Sequence, residues 1–232
     1  MISGTRPLLL ATLSVGAILF HGPLPAQTIP SPYRFLESKQ EAGLFAGYIS
    51  PATGRFGFGP GPGPAWGLRY SVNFSGPFGL EGVVTHSPTQ RDIVDPGRVE
   101  GDRVIGEMSS QLVIIDGRLR FSLTGDRTWH RLSPFIAMGG GLVFDVANDN
   151  SDEELLLADD RFQFGTSFVG ILAGGLRWLP GERFLIRGDF SLSIWQLKTP
   201  RGYSDPERAF SGVDEKEWVG SSSFTLGIGF RF

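Results

Sequence analysis

The stretch Ser223-Phe224-Thr225-Leu226-Gly227-Ile228-Gly229-Phe230-Arg231-Phe232 decides the fold. Phe224, Leu226, Ile228, Phe230 and Phe232 fall on one parity; Ser223, Thr225, Gly227, Gly229 and Arg231 fall on the other. An extended strand sends successive side chains to opposite faces, so this pattern separates cleanly into an apolar and a small or polar face. A helix would scatter the same residues around its axis.

The alternation recurs upstream. Near 65–74, Trp66, Leu68, Tyr70, Val72 and Phe74 oppose Gly67, Arg69, Ser71 and Asn73. Near 107–124, Val113, Ile115, Leu119, Phe121 and Leu123 oppose Asp116, Arg118, Arg120, Ser122 and Thr124, with Leu112 and Ile114 out of phase. Near 161–178, Phe162, Phe164, Phe168, Leu172, Leu176 and Trp178 oppose Gln163, Gly165, Ser167, Gly175 and Arg177. Near 183–197, Phe184, Ile186, Phe190, Leu192 and Ile194 oppose Arg187, Asp189, Ser191 and Ser193. Further strands are predicted near 42–50, where Leu44, Phe45, Tyr48 and Ile49 populate both faces, and near 78–86 and 131–146.

Those eight strands are joined by connections that alternate in length. Long ones cover about 51–64, 87–106, 147–160 and 198–217. Short ones are Ser75-Gly76-Pro77, Gly125-Asp126-Arg127-Thr128 and Leu179-Pro180-Gly181-Glu182. Long loops on one side and tight turns on the other are the topology of an eight-stranded antiparallel up-and-down transmembrane β-barrel. Composition agrees: of 232 residues, 33 are Gly and 19 Phe against three Met, a balance that suits twisted, close-packed strands.

The start of the chain reads as a targeting segment. Arg6 is the only charge before Arg34, and the apolar run Leu8–Phe20 fits a signal-peptide core of about 7–15 residues, short of the roughly 20 that a spanning helix needs. Pro23-Leu24-Pro25-Ala26 then leads to an expected cleavage after Ala26. The domain division is therefore 1–26 signal peptide, 27–41 periplasmic lead-in containing Pro30 and Pro32, and 42–232 barrel domain. The alternative for the first segment is a retained membrane anchor.

A soluble lipocalin-like barrel would show the same alternation with its apolar face inward. Two features favour the membrane reading. Arg69, Glu81, Asp116, Arg118, Arg120, Arg187, Asp189 and Arg231 share the polar face with small residues, as a filled lumen requires; Ser71, Asn73, Ser122, Thr124, Ser191, Ser193 and Ser223 are placed to solvate them. Aromatics also cluster at strand ends. Phe74, Phe78, Phe121, Trp129, Trp178, Phe184, Phe230 and Phe232 lie toward the short-turn rim, and Trp66, Trp195 and Trp218 toward the long-loop rim, as membrane girdles do.

The ending Phe224–Phe232 resembles the C-terminal β-signal of outer-membrane proteins. With the export segment and the eight strands, residues 42–232 resemble the small OmpA- and OmpX-type barrels of Gram-negative bacteria. The resemblance implies residence in the cell outer membrane, contact with its lipid and lipopolysaccharide, recognition by the barrel-assembly machinery through the last strand, and a monomer.

The sequence offers little chemistry. Without Cys there is no disulfide, thiolate or Cys-based metal site, and a net charge of −3 gives no field for nucleic acid. His86-Ser87 invites comparison with lipid-modifying hydrolases, but adjacent strand residues point to opposite faces. His130 follows Trp129 in a turn and is expected at the interface. Asn148-Asp149-Asn150-Ser151-Asp152-Glu153-Glu154, followed by Asp159-Asp160, departs from the EF-hand template and reads as a solvated acidic loop, with Ca²⁺ as the alternative. The prolines of 57–64 remove amides that a phosphate loop needs. The expectation is no catalytic, cofactor or metal residue, and a structural or surface-interaction barrel; the alternative is a narrow channel or transporter for small solutes.

Overall fold

The computed structural model describes residues 31–36, 39–147, 152–208 and 210–232. The segment 1–26 and residues 148–151 of the acidic loop lie outside the described residues, as do the side chains of Asp152 and Glu153. The strands are β1 (Tyr33–Phe35), β2 (Gln40–Pro51), β3 (Gly63–Ser75), β4 (Phe78–Val94), β5 (Val104–Ser122), β6 (Arg127–Trp129), β7 (Leu132–Asp145), β8 (Thr166–Trp178), β9 (Phe184–Lys198) and β10 (Lys216–Arg231). Eight of them form the wall in sequence order, β2-β3-β4-β5-β7-β8-β9-β10, every neighbour antiparallel. Closure comes from β10 on β2, with Phe224 opposite Tyr48 and Arg231 opposite Glu41. A closed wall leaves no edge and pairs its backbone internally, which is what a strand protein needs in a bilayer.

The seam depends on glycine. A Cβ on Gly47 would sit 2.0 Å from the Phe224 carbonyl oxygen, too close for any other residue without separating the strands. At the turn between β3 and β4, Gly76 takes φ 50°, a left-handed conformation open to glycine at little cost.

The apolar parity faces outward. Leu44, Leu68, Leu80, Ile115, Met138, Leu172, Leu192 and Leu226, one from each wall strand, are all exposed. In water such a belt would be an aggregation hazard; against hydrocarbon it is the required surface. Both aromatic girdles are present, with one correction. Trp195 is fully buried although Trp66 and Trp218 are exposed. Ile194 faces lipid, so its successor on the strand must face inward.

Three boundaries also differ from expectation. The supposed loop 87–106 is mostly strand: β4 and β5 stay paired from Pro88↔Gln111 to Val94↔Val104, leaving a tip at 95–103. At 17 and 19 residues these strands exceed the roughly 9–11 that cross a bilayer, so their hairpin stands clear on the long-loop side. Residues 161–165 are not strand; β8 begins at Thr166, and Phe162 and Phe164 are buried beneath the loops rather than turned to lipid. The lead-in 27–41 is not all irregular. β1 pairs with β6, and β2 begins at Gln40, which brings Glu41 into the wall.

Candidate functional site

The polar parity of the wall converges on the half of the lumen nearest the short turns. All eight charges expected there turn inward, joined by Glu41 and Arg177. Glu81 is the hub. Its carboxylate accepts from Arg187 Nη1 at 2.6 Å and Nη2 at 3.0 Å, and from Arg120 Nη1 at 2.7 Å. Arg120 also donates to Glu41 at 3.3 Å and to Asn73 Oδ1. Arg177 donates to both Glu41 oxygens, at 2.9 and 3.1 Å, and to Ser133 Oγ at 3.0 Å. Asp189 takes Arg187 Nε at 2.8 Å and Arg69 Nη1 at 2.9 Å. Asp116 holds Arg118, two residues along the same strand, at 2.5 and 3.1 Å.

Six arginines thus share four carboxylates, and uncharged groups take up part of the remainder; the buried Nε atoms of Arg69, Arg120, Arg177 and Arg231 have no hydrogen-bond partner among the described residues. Asn73 and Ser133 accept as described, and the rings of Phe135 and Phe45 lie 4.1 and 5.1 Å beneath the guanidinium carbons of Arg187 and Arg69. Close pairing of this kind offsets the desolvation of buried charge, and each donor left over subtracts from that gain. The expected hydroxyls contribute unevenly. Ser71 donates to Glu81 at 3.5 Å, whereas the buried Thr124 Oγ1 has no partner. Ser191, Ser193 and Ser223 instead line a space of about 30 Å³ beside Asp116 and Arg118, and a second space of about 20 Å³ adjoins Arg69 and Arg187. Each admits only a water or two.

The other half of the interior is mainly apolar, with Ser87, Thr89, Ser110 and Ser221 among its buried side chains. Ile49, Leu112, Ile114, Val143, Val169, Ile171, Trp195 and Val219 point inward from the upper wall. Leu112 and Ile114 thereby explain their break of phase: they keep inward parity where the lumen changes from charged to greasy. The loops close over this layer. Phe56 and Phe58 come from the first loop, Phe162 and Phe164 from the third, Tyr203 and Phe210 from the fourth. Phe58 packs on Phe162 with ring centroids 4.6 Å apart, and Phe56 on Tyr203 at the same distance. The Tyr203 hydroxyl donates to the Val94 carbonyl at 3.3 Å, tying in the end of β4. Burial pushes the ionisation of that phenol well above its ordinary range, so it stays a donor. Arg208 of the fourth loop forms a two-pronged ion pair with the buried Asp160 of the third.

The other candidate chemistry disperses. His86 lies against Trp66 on the outer face, with ring centroids 5.0 Å apart, while Ser87 points inward and donates to the Pro64 carbonyl at 2.8 Å. They form no dyad. His130 adopts φ 49° in a turn, edge-on to Trp129. Among the described residues no group of three His or acidic side chains is placed to hold a metal ion.

No family model matches the sequence, and no curated protein matches it. Solved structures do. The outer membrane protein OprG from Pseudomonas aeruginosa superposes with a TM-score of 0.56 at 15% identity, over 87% of this chain and 99% of that one. The outer membrane protein W of E. coli follows at 0.48 and 15%, over 84% and 98%. With its apolar belt turned outward and its charges turned inward, this chain has the fold of the small eight-stranded outer-membrane β-barrels.

Proposed function

We propose that this barrel is a non-catalytic, non-conducting scaffold that displays a rigid loop surface to the exterior. One observation carries the reading: an interior filled by ion pairs in one half and closed by packed aromatic loops in the other. Eight strands enclose a lumen that side chains fill, whereas open porins use about 16–18. Loops that pack on one another offer a preformed face, and a preformed face binds a partner without a large ordering cost. His86 and Ser87 pointing apart support the non-catalytic part. On the same reading the protein is a monomer, its belt meets outer-membrane lipid and lipopolysaccharide, and β10 serves the assembly machinery.

Planar-bilayer recording of the refolded protein tests this. Little or no unitary conductance is expected. Steady ion-selective steps that disappear on changing Glu81 or Asp189 would overturn it and make a narrow channel the leading function.

A further inference from the structure

The short-turn end of the barrel holds a cavity of about 620 Å³ that meets the lumen network only at Arg231. Its walls come from four places: the lead-in (Arg34, Phe35, Leu36), the β6–β7 turn (Thr128, Arg131), the β8–β9 turn (Leu179 to Arg183) and the end of β10 (Arg231). Among the described residues four arginines line it, with Glu182 the one carboxylate side chain, and Phe232 also forms part of its wall.

These arginines are poorly matched within the protein. Among the described residues, Arg34 and Arg183 have no carboxylate within ion-pair distance. Arg131 donates only to a backbone oxygen, that of Pro180, at 2.8 Å. Arg231 is buried and lies 3.6 Å from Glu41, which Arg177 and Arg120 already engage at shorter range. Its Nε is the atom that faces Glu41, and its Nη1 donates to the Glu182 carbonyl at 3.2 Å. Aromatic residues ring the same end: Phe35, Trp129, Trp178, Phe184 and Phe232 are exposed. That composition sets the rim at the headgroup level of the periplasmic leaflet.

We propose that this recess is a binding site for a phosphate group, with the headgroup of an anionic glycerophospholipid of the periplasmic leaflet as its first source. The guanidinium fork matches phosphate oxygens two at a time, and Arg34, Arg131 and Arg183 bring three such forks to one recess with no carboxylate partner among the described residues. The volume falls within the roughly 300–1,000 Å³ of small-molecule sites, enough for a glycerophosphate headgroup while its acyl chains lie along the belt outside. Free phosphate presents the same oxygens and is the second source.

The test uses full-length mature protein in nanodiscs of phosphatidylcholine doped with phosphatidylglycerol, followed by extraction into mild detergent. Native mass spectrometry then counts retained lipid, with and without millimolar inorganic phosphate. Wild type is expected to retain about one phosphatidylglycerol in preference to phosphatidylcholine. The exposed pair Arg34→Gln with Arg183→Gln should lower that retention roughly ten-fold or more, the scale of two guanidiniums near a membrane surface. The single variant Arg183→Glu should also lower it, and serves if the pair fails to fold, judged by whether unboiled and boiled samples migrate differently in electrophoresis. Phosphate that binds wild type but not the variants, with no lipid retained, would support the site with the soluble source. Equal retention of both lipids, or unchanged retention in folded variants, together with no variant-sensitive phosphate binding, would overturn it.

Discussion

Replacing Glu81 by Ala removes the carboxylate on which the charged half of the lumen turns. Three charged hydrogen bonds end on it at 2.6, 2.7 and 3.0 Å. Removing one member of a buried ion pair costs about 3–5 kcal/mol, because the partner is left charged and dry. Here two arginines lose it together, yet neither is left bare. Arg187 keeps Asp189 at 2.8 Å, and Arg120 keeps Glu41 at 3.3 Å and the Asn73 side chain. That residual pairing sets the expected loss near the lower end, about 3 kcal/mol. Guanidinium unfolding in lipid vesicles, followed by tryptophan emission, reads it as a lower midpoint at unchanged slope. Unboiled electrophoresis should show the folded band of the variant disappearing at a lower temperature than wild type. Glu81→Gln keeps the shape and one acceptor and should lose less than Glu81→Ala. A Glu81→Ala midpoint equivalent to within about 0.5 kcal/mol of wild type, the scatter of ordinary surface changes, would refute the hub role and mean that the arginines are hydrated from the lumen.

The loop plug and the last strand give three further expectations. Tyr203→Ala should open the aromatic plug at a cost of about 3–5 kcal/mol to loop closure, read as faster trypsin cleavage at the flanking Arg201 and Arg208 with the barrel band intact. Gly202→Ala should release the third loop from the fourth, since a Cβ there would fall on the Asp160 carboxylate; its cleavage rate at Arg201 and Arg208 should match that of Asp160→Ala. Phe232→Asp should reduce the fraction recovered in the outer membrane, measured by surface labelling of cells, because it puts a charge on the exposed aromatic ending of the chain.

Parity carried most of the fold into the sequence, and its failures have physical reasons. Residues two apart on a strand must share a face, so the belt and the lumen charges could be read without coordinates. Trp195 was assigned by residue type to a girdle, against its own parity next to Ile194; the strand obeyed geometry. Phe162 and Phe164 keep the alternation of the strand that follows, but they alternate in a loop whose burial comes from distant loops, which local pattern does not encode. The hairpin beyond His86 was hidden because Pro88, Gln90 and Asp92 look like loop residues, although pairing with β5 carries them as strand. Glu41 fell on the lead-in side of an assumed boundary. Its parity with Gly43 and Phe45 was the available signal, as was that of Arg177 with Gly175. The hub role of Glu81 was not legible at all: which of several inward carboxylates meets which arginine depends on the stagger of strands across the lumen.

The lead-in has a consequence for the order of events in assembly. Tyr33 pairs with Trp129, about a hundred residues later, and Leu36 N–H donates to the Asp126 carbonyl at 2.9 Å. A few residues on, the Lys39 carbonyl accepts from Asn73 on the wall. The segment Tyr33–Leu36 therefore has no docking place until β5 and β7 exist with their turn between them. Contacts so distant in sequence pay their loop-closure entropy late. The strap then acts as a latch thrown after the middle of the barrel is built.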